Sequence, residues 1–390
     1  MSASTFASVL AKKRILVCVG SGGVGKTTTA ATLALAGARR GRKTLVLTID
    51  PAKRLANSLG LPQLDHEERR VPDAVLTDGG TVAPGGALFA MMLDQKRAFD
   101  EIVERYAKDP DAVKRILENR IYQQISGSLT GSHEYAAMAK LDQIARERDY
   151  ELIVVDTPPT AHALDFLDAP EKVASAVDSP AIEWFVKPFK ATGAFSLKLV
   201  GVGGSFVLKR VAKFVGSQFL ESMAKFFVEF GDVMRGFRDR ARDVETLLRS
   251  DGVGFVLVAA PEIAAVDEAL FFHARLIAQR MPFSAFVVNR VHPEAPEAPE
   301  AHELQAVLAT RPELEHVPPY DLARASERLL QAYEDFAILA EADRLQIMRL
   351  KQAAPHDPLA IVPIQDQDVH DIHGLGILGG YLFPAGAPAS

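Results

Sequence analysis

Ile15-Leu-Val-Cys-Val19, followed by Gly20-Ser-Gly-Gly-Val-Gly-Lys-Thr27 and an alanine-rich run from Thr27 to Arg40 closed by Gly41, is the stretch that decides the fold. An unbroken apolar run bounded by glycine reads as a buried strand, and the run after it reads as a helix with a glycine stop. The link between them fits GxxxxGK[ST], the Walker A pattern, in the strand-to-helix setting that its mechanism needs. Gly20, Gly22, Gly23 and Gly25 let backbone N–H groups, including those of Ser21 and Val24, turn inward around phosphate oxygens. A helix starting near Lys26 aims its positive end at the same place, Lys26 adds a point charge, and Thr27 offers a hydroxyl to Mg²⁺.

Outward from this loop the same grammar repeats. Thr44 to Ile49 is an apolar run ending in Asp50, Leu88 to Leu93 ends in Asp94, and Leu152 to Val155 ends in Asp156. Gly254 to Ala259, Ala285 to Val288 and Leu359 to Ile364 follow. Runs unbroken by polar residues and alternating with helical stretches describe an α/β nucleotide-binding P-loop fold: a mostly parallel sheet covered by helices on both faces. Ligands of such sheets sit at the C-terminal strand edge, where these carboxylates stand.

Two stretches break the alternation. Residues 95–145 read as helices, and residues 181–249 hold 10 of the 21 phenylalanines. Together they are expected to form an inserted helical subdomain, with residues 1–94, 146–180 and 250–390 as the P-loop core. Val211, Phe214, Val215, Phe219, Met223, Phe226, Phe227, Phe230, Met234 and Phe237 step by three and four, so they form one bulky apolar stripe, either core or a surface for an apolar client. Gly216, Gly231 and Gly236 are expected to bend that helix. The segment 293–301 repeats Pro-Glu-Ala and reads as an extended, exposed loop.

Composition narrows the function. Hydrophobic residues at 48% and charged residues at 24% suit a globular chain of 390 residues, and 44 basic against 50 acidic side chains leave −6, no field for nucleic acid. Cys18 stands alone, which excludes an intrachain disulfide and any multi-thiol metal or metalloid site. The N-terminus lacks the signal-peptide arrangement and no apolar run reaches the length of a membrane span. The expectation is a soluble cytoplasmic protein without stable membrane insertion.

Asp156 is placed as a Walker B carboxylate for Mg²⁺, and Asp50 as a group beside the γ-phosphate that orients water; either residue alone also suits a helix cap. Asn289 ends Phe-Val-Val and suits either an adenine edge or a turn. Asn289-Arg-Val-His lacks the guanine-reading Asn/Thr-Lys-x-Asp pattern, so ATP is the expected nucleotide. Asp366 to His373 carries possible metal-ligand types but reads better as a polar helix start.

These residues resemble the deviant Walker A ATPases that include arsenite-pump ATPases (ArsA) and the ATPases targeting tail-anchored membrane proteins. Gly22-Gly-Val-Gly-Lys-Thr-Thr28 resembles the family P-loop, and Asp50-Pro-Ala its switch I. Asp156-Thr-Pro-Pro-Thr-Ala-His162-Ala-Leu164 resembles the switch II signature DTAPTGHTL, with Ala161 and Ala163 in place of Gly and Thr. Thr130-Gly-Ser-His-Glu134 resembles PGxxE, and Val287-Val-Asn289 and Val362-Pro363 resemble adenine-side segments. The resemblance implies ATP and Mg²⁺ as cofactors, Asp50 and Lys26 as catalytic residues, residues 20–28 with Asn289 and Pro363 around the nucleotide, and His162 as a reporter of nucleotide state. Two departures stand out. The family's signature lysine, which crosses a dimer to the partner's phosphates, is Ser21 here, and the family's cysteines are missing.

Three functions follow: a dimeric ATP-driven switch whose helical subdomain takes a hydrophobic membrane-protein helix; a weakly hydrolysing regulatory or scaffolding subunit; and a thiol-independent anion-pump ATPase subunit. A homodimer is one assembly implied, and a heterodimer with a paralogue carrying the lysine is the other.

Overall fold

A computed structural model describes residues 5–49, 54–123, 132–158, 222–223, 226–294 and 298–384. Among them lie β1 (Ile15–Val19), β2 (Lys43–Thr48), β3 (Arg69–Arg70), β4 (Ala87–Met92), β5 (Leu152–Asp156), β6 (Val253–Ala259), β7 (Phe283–Val291) and β8 (Leu359–Pro363). They form one sheet in the order β3-β4-β2-β5-β1-β6-β7-β8. Every pairing is parallel except β3 with β4. The apolar runs thus become the parallel strands. The two-residue antiparallel edge β3 was not foreseen, because two arginines give no apolar signal.

The helices are α1 (Phe6–Lys12), α2 (Lys26–Arg39), α3 (Arg54–Ser58), α4 (Asp73–Leu76), α5 (Gln95–Tyr106), α6 (Pro110–Leu117), α7 (Ser132–Glu147), α8 (Gly231–Leu248), α9 (Ile263–Ala278), α10 (Ala301–Ala309), α11 (Pro319–Ala353) and α12 (Ile372–Leu382). Successive strand residues point to opposite faces, so each strand feeds two cores. Leu16, Cys18, Val46, Val154 and Val256 pack with residues of α1, α2 and α12. Ile15, Val17, Leu45, Leu47, Val155 and Phe255 share the other cluster with residues of α5, α7, α8, α9 and the end of α11. Strands buried on both sides must be apolar throughout, which is why the runs carry no alternation.

Helices α5, α7 and α8 belong to the same apolar cluster as the sheet face beneath them. Phe226 and Phe230, from the foreseen stripe, are buried and stack with ring centroids 5.1 Å apart. For these two residues the stripe is core; its members from Val211 to Phe219 lie outside the described residues. Two polar links tie the helical layer together. His66 Nδ1 accepts the Asp94 N–H at 3.1 Å and its Nε2 donates to Glu101 at 3.0 Å, while Lys140 Nζ donates to Glu101 at 2.7 Å. Burial pushes the Glu101 carboxyl up, but the hydrogen bonds from His66 and Lys140 outweigh it and hold the group at about 2. Buried Asp142 on α7 accepts from Arg146 at 2.8 Å and faces Arg240 of α8 at 3.6 Å.

Helices α10 and α11 pack on each other after the 293–301 segment, whose described residues Pro293, Glu294 and Ala298 to Glu300 are exposed. Helix α10 buries no residue, and α11 buries Leu322 and Ser326 near its start and Asp343, Ile347 and Leu350 near its end. Asp343 Oδ2 accepts the His292 N–H at 2.8 Å and meets its Nδ1 at 2.8 Å, fixing α11 to the end of β7. At the C-terminus Asp371 caps α12 by accepting the Gly374 N–H at 2.7 Å, the polar helix start expected of this segment.

Gly236 lies inside α8, which continues through it to Leu248. Its importance is space: a Cβ there would stand 2.3 Å from Cγ of Tyr106. Alanine in an exposed helix would gain about 1 kcal/mol over glycine. Here Gly236→Ala is expected to lose about 1–3 kcal/mol by overpacking the α5–α8 contact, read as a lowered melting temperature in circular dichroism.

Candidate functional site

The loop after β1 opens at the point where the chain order on the two sides of that strand diverges, β5 and β2 to one side, β6 and β7 to the other. Such a switch point leaves a crevice at the C-terminal strand ends. Gly25 caps α2 with φ +97°, a left-handed conformation suited to glycine. A Cβ at Gly25 would fall 2.3 Å from Nδ2 of Asn289, which donates to the Val24 carbonyl at 2.9 Å. The last strand-end residue of β7 before its bulge therefore holds the loop open from the side.

Lys26 is buried, and its Nζ donates to the Ser21 carbonyl at 2.7 Å. Thr27 Oγ1 donates to Asp156 Oδ2 at 2.8 Å, and Thr48 Oγ1 donates to the same oxygen at 3.0 Å. Asp156 is fully buried, opposite Cys18 of β1 and Thr48 of β2 in the register. Burial, with the Asp156 carboxylate second, pushes the Cys18 thiol far above its ordinary range, so it stays an unionised core side chain. Thr157 Oγ1 donates to the Cys18 carbonyl at 2.8 Å, holding the strand end in line.

A cleft of about 520 Å³ opens beside this loop. It is lined by Gly23, Gly25 and Thr28 of the loop and helix start, by Asn289, Arg290 and Pro363 of the strand ends, and by Arg54, Asn57, Asp368 and His370. That volume lies in the range of small-molecule sites. The structure thus brings Gly23, Gly25, Thr28, Asn289 and Pro363 into one cleft, pairs Thr27 with Asp156 and sets Lys26 against the Ser21 carbonyl of the same loop. Asp50 and His162 lie outside the described residues, as do the switch II residues from Pro159 on.

Some residues of this site carry no local sequence signal. Thr48 hides as an ordinary strand threonine inside an apolar run, and only the register shows that it reaches Asp156. Asn57 sits in a five-residue helix with no periodicity to find. Within Asp366 to His373, expected as a polar helix start, Asp371 does cap the helix that begins at Ile372, and Gln367, Asp368 and His370 just before it line the cleft.

Fold, switch-point loop and threonine–aspartate pair define a P-loop nucleotide-binding protein. Residues 13–311 match the anion-transporting ATPase (ArsA) family, and the chain belongs to it. ATPase GET3C of Arabidopsis thaliana is 27% identical over 296 residues, covering 71% of this chain and 66% of that protein. ATPase GET3B of the same plant is 25% identical over 305 residues, 72% of this chain and 65% of that protein. ATPase get3 of Aspergillus terreus is 31% identical over 159 residues, 40% of this chain and 43% of that protein. The chain therefore spans just under two thirds or less of these relatives.

Gly25→Ala tests the geometry directly, since it meets both the left-handed backbone and the Asn289 amide. It is expected to weaken nucleotide binding at least tenfold with little loss of global stability, because the strain is local to the loop and the Asn289 side chain. Calorimetric titration with ATP, beside a thermal melt, reads both quantities.

Proposed function

We propose that the chain binds ATP with Mg²⁺ in this cleft, hydrolyses it, and converts nucleotide state into movement of its helical layer within a dimer. The observation that carries the reading is the buried Asp156 carboxylate accepting the Thr27 hydroxyl at the start of α2. A phosphate-binding turn has no need of such a partner, whereas two hard oxygen donors at this position suit Mg²⁺ beside a triphosphate. When bound, the ion neutralises charge on the β and γ phosphates.

The chain's own residues set the rest. Backbone N–H groups of the loop and the α2 N-terminus receive phosphate oxygens. Lys26 exchanges the Ser21 carbonyl for phosphate oxygen. Asn289, with its Nδ2 committed to Val24, would meet the base with its Oδ1 as an acceptor. That polarity favours adenine, which presents an exocyclic amine, over guanine, which presents a carbonyl. Asp50, following the family resemblance, orients the attacking water. Coupling runs through the apolar cluster that the sheet shares with α5, α7 and α8. An apolar client helix is the ligand proposed for the helical subdomain, on the strength of the Phe-rich sequence from Phe185 to Phe237.

Ser21 supports a second reading, in which the protein hydrolyses weakly and assembles with a paralogue that supplies a lysine. A cation reaching phosphates across an interface is worth about 10³ to 10⁵ in rate in arginine-finger systems, and serine supplies no charge.

Lys26→Ala is expected to abolish measurable ATP binding and turnover, followed by titration calorimetry and phosphate release; unchanged values for both defeat the site. Asp50→Asn should keep ATP affinity within a few-fold while turnover falls at least tenfold. Ser21→Lys separates the two assemblies. Turnover of the homodimer is expected to rise at least tenfold, and no change would mean that another residue already supplies the cation.

A further inference from the structure

One strained residue borders the cleft. Between β7 and β8 the register pairs Asn289 with Val362 and Val291 with Pro363, so Arg290 is the extra residue of a bulge. Its φ is +65°, in the left-handed region that side-chain-bearing residues other than asparagine and aspartate avoid. Glycine would occupy that position without strain. Arginine does so instead, with its side chain exposed and lining the cleft beside Asn289 and Pro363. Among the described residues its guanidinium has no ion-pair or hydrogen-bond partner. Bulges next to active sites re-aim a side chain, and a left-handed outlier held there points to a use for that side chain.

We propose that Arg290 lays its guanidinium against the face of the adenine base, acting as a positioning and specificity residue for the nucleotide. This rests on the nucleotide reading given above. The geometry favours the base over the phosphates. Phosphate oxygens belong at Gly23 to Thr28, where the loop N–H groups and Lys26 gather. Asn289, next to Arg290 in the chain, lines the same cleft and would meet a base edge with its remaining acceptor. Pro363 and Ile364 offer an apolar surface on the neighbouring strand end. A planar base lying between them and Arg290 would have one apolar face and one cationic face. A guanidinium stacks on an aromatic plane, and an ammonium on the same stem does so less well.

The test titrates the full chain and three variants with ATP, ADP and AMP. Arg290→Gly and Arg290→Asn both tolerate the left-handed backbone, so both should melt at or near the wild-type temperature. Each should weaken all three nucleotides by a similar factor, roughly 3- to 10-fold, and Arg290→Lys should recover only part of that loss. Unchanged affinities in Gly and Asn variants overturn the inference. So does a loss that grows from AMP to ATP, which would make the guanidinium a phosphate ligand, or full recovery by lysine. A melting point lowered by several degrees in both variants overturns it too, by making the residue structural. If the wild-type chain binds none of the three, the nucleotide reading fails first, and that result is distinct from wild-type binding that the variants leave intact.

Discussion

A carboxylate buried at the end of the central sheet needs hydrogen-bond donors, and Asp156 finds them on two other chain segments. Thr27 comes from the phosphate loop and Thr48 from the strand beside it. An unpaired carboxylate at that depth would cost several kcal/mol, so the three segments are held in register by one charge. The loop's position relative to the sheet follows from this, and with it the cleft. Any ligand that draws Asp156 or Thr27 toward itself also acts on β2, the strand that leads into Asp50.

That link gives the two-core architecture a functional sense. The face carrying α1, α2 and α12 anchors the loop helix, while the opposite face continues without interruption into α5, α7 and α8. Close packing transmits small displacements because it leaves no slack to absorb them. The buried pairs around Glu101 and Asp142 add direction: they join specific helices at fixed points, so the helical layer would shift as a set.

The parallel strands were legible because burial on both faces forces apolar runs, and the loop was legible because phosphate binding restricts residue type at fixed spacing. Thr27, Lys26 and Asp156 came from those two constraints. Thr48 and Arg290 did not, since each depends on which strands are neighbours. The order β2-β5-β1 makes Thr48 a partner of Asp156 over a separation no local pattern encodes. Gly236 was expected to bend its helix; the ring of Tyr106 shows that the glycine answers to a helix in another part of the chain. The bulge at Arg290 arises from pairing with β8, and nothing in Asn289-Arg-Val announces it.

Helix α11 runs 35 residues, yet its deep burial near the sheet is confined to the turns around Asp343, Ile347 and Leu350. Mechanically it is a beam clamped at one end, with the His292–Asp343 contact beside the clamp. At about 1.5 Å of rise per residue, a tilt of about 10° at Asp343 would carry Tyr320 through roughly 6 Å. The clamp follows directly from β7, two residues beyond Arg290 at the rim of the cleft. A displacement too small to disturb the sheet would thus be enlarged severalfold at the outer end of the hairpin.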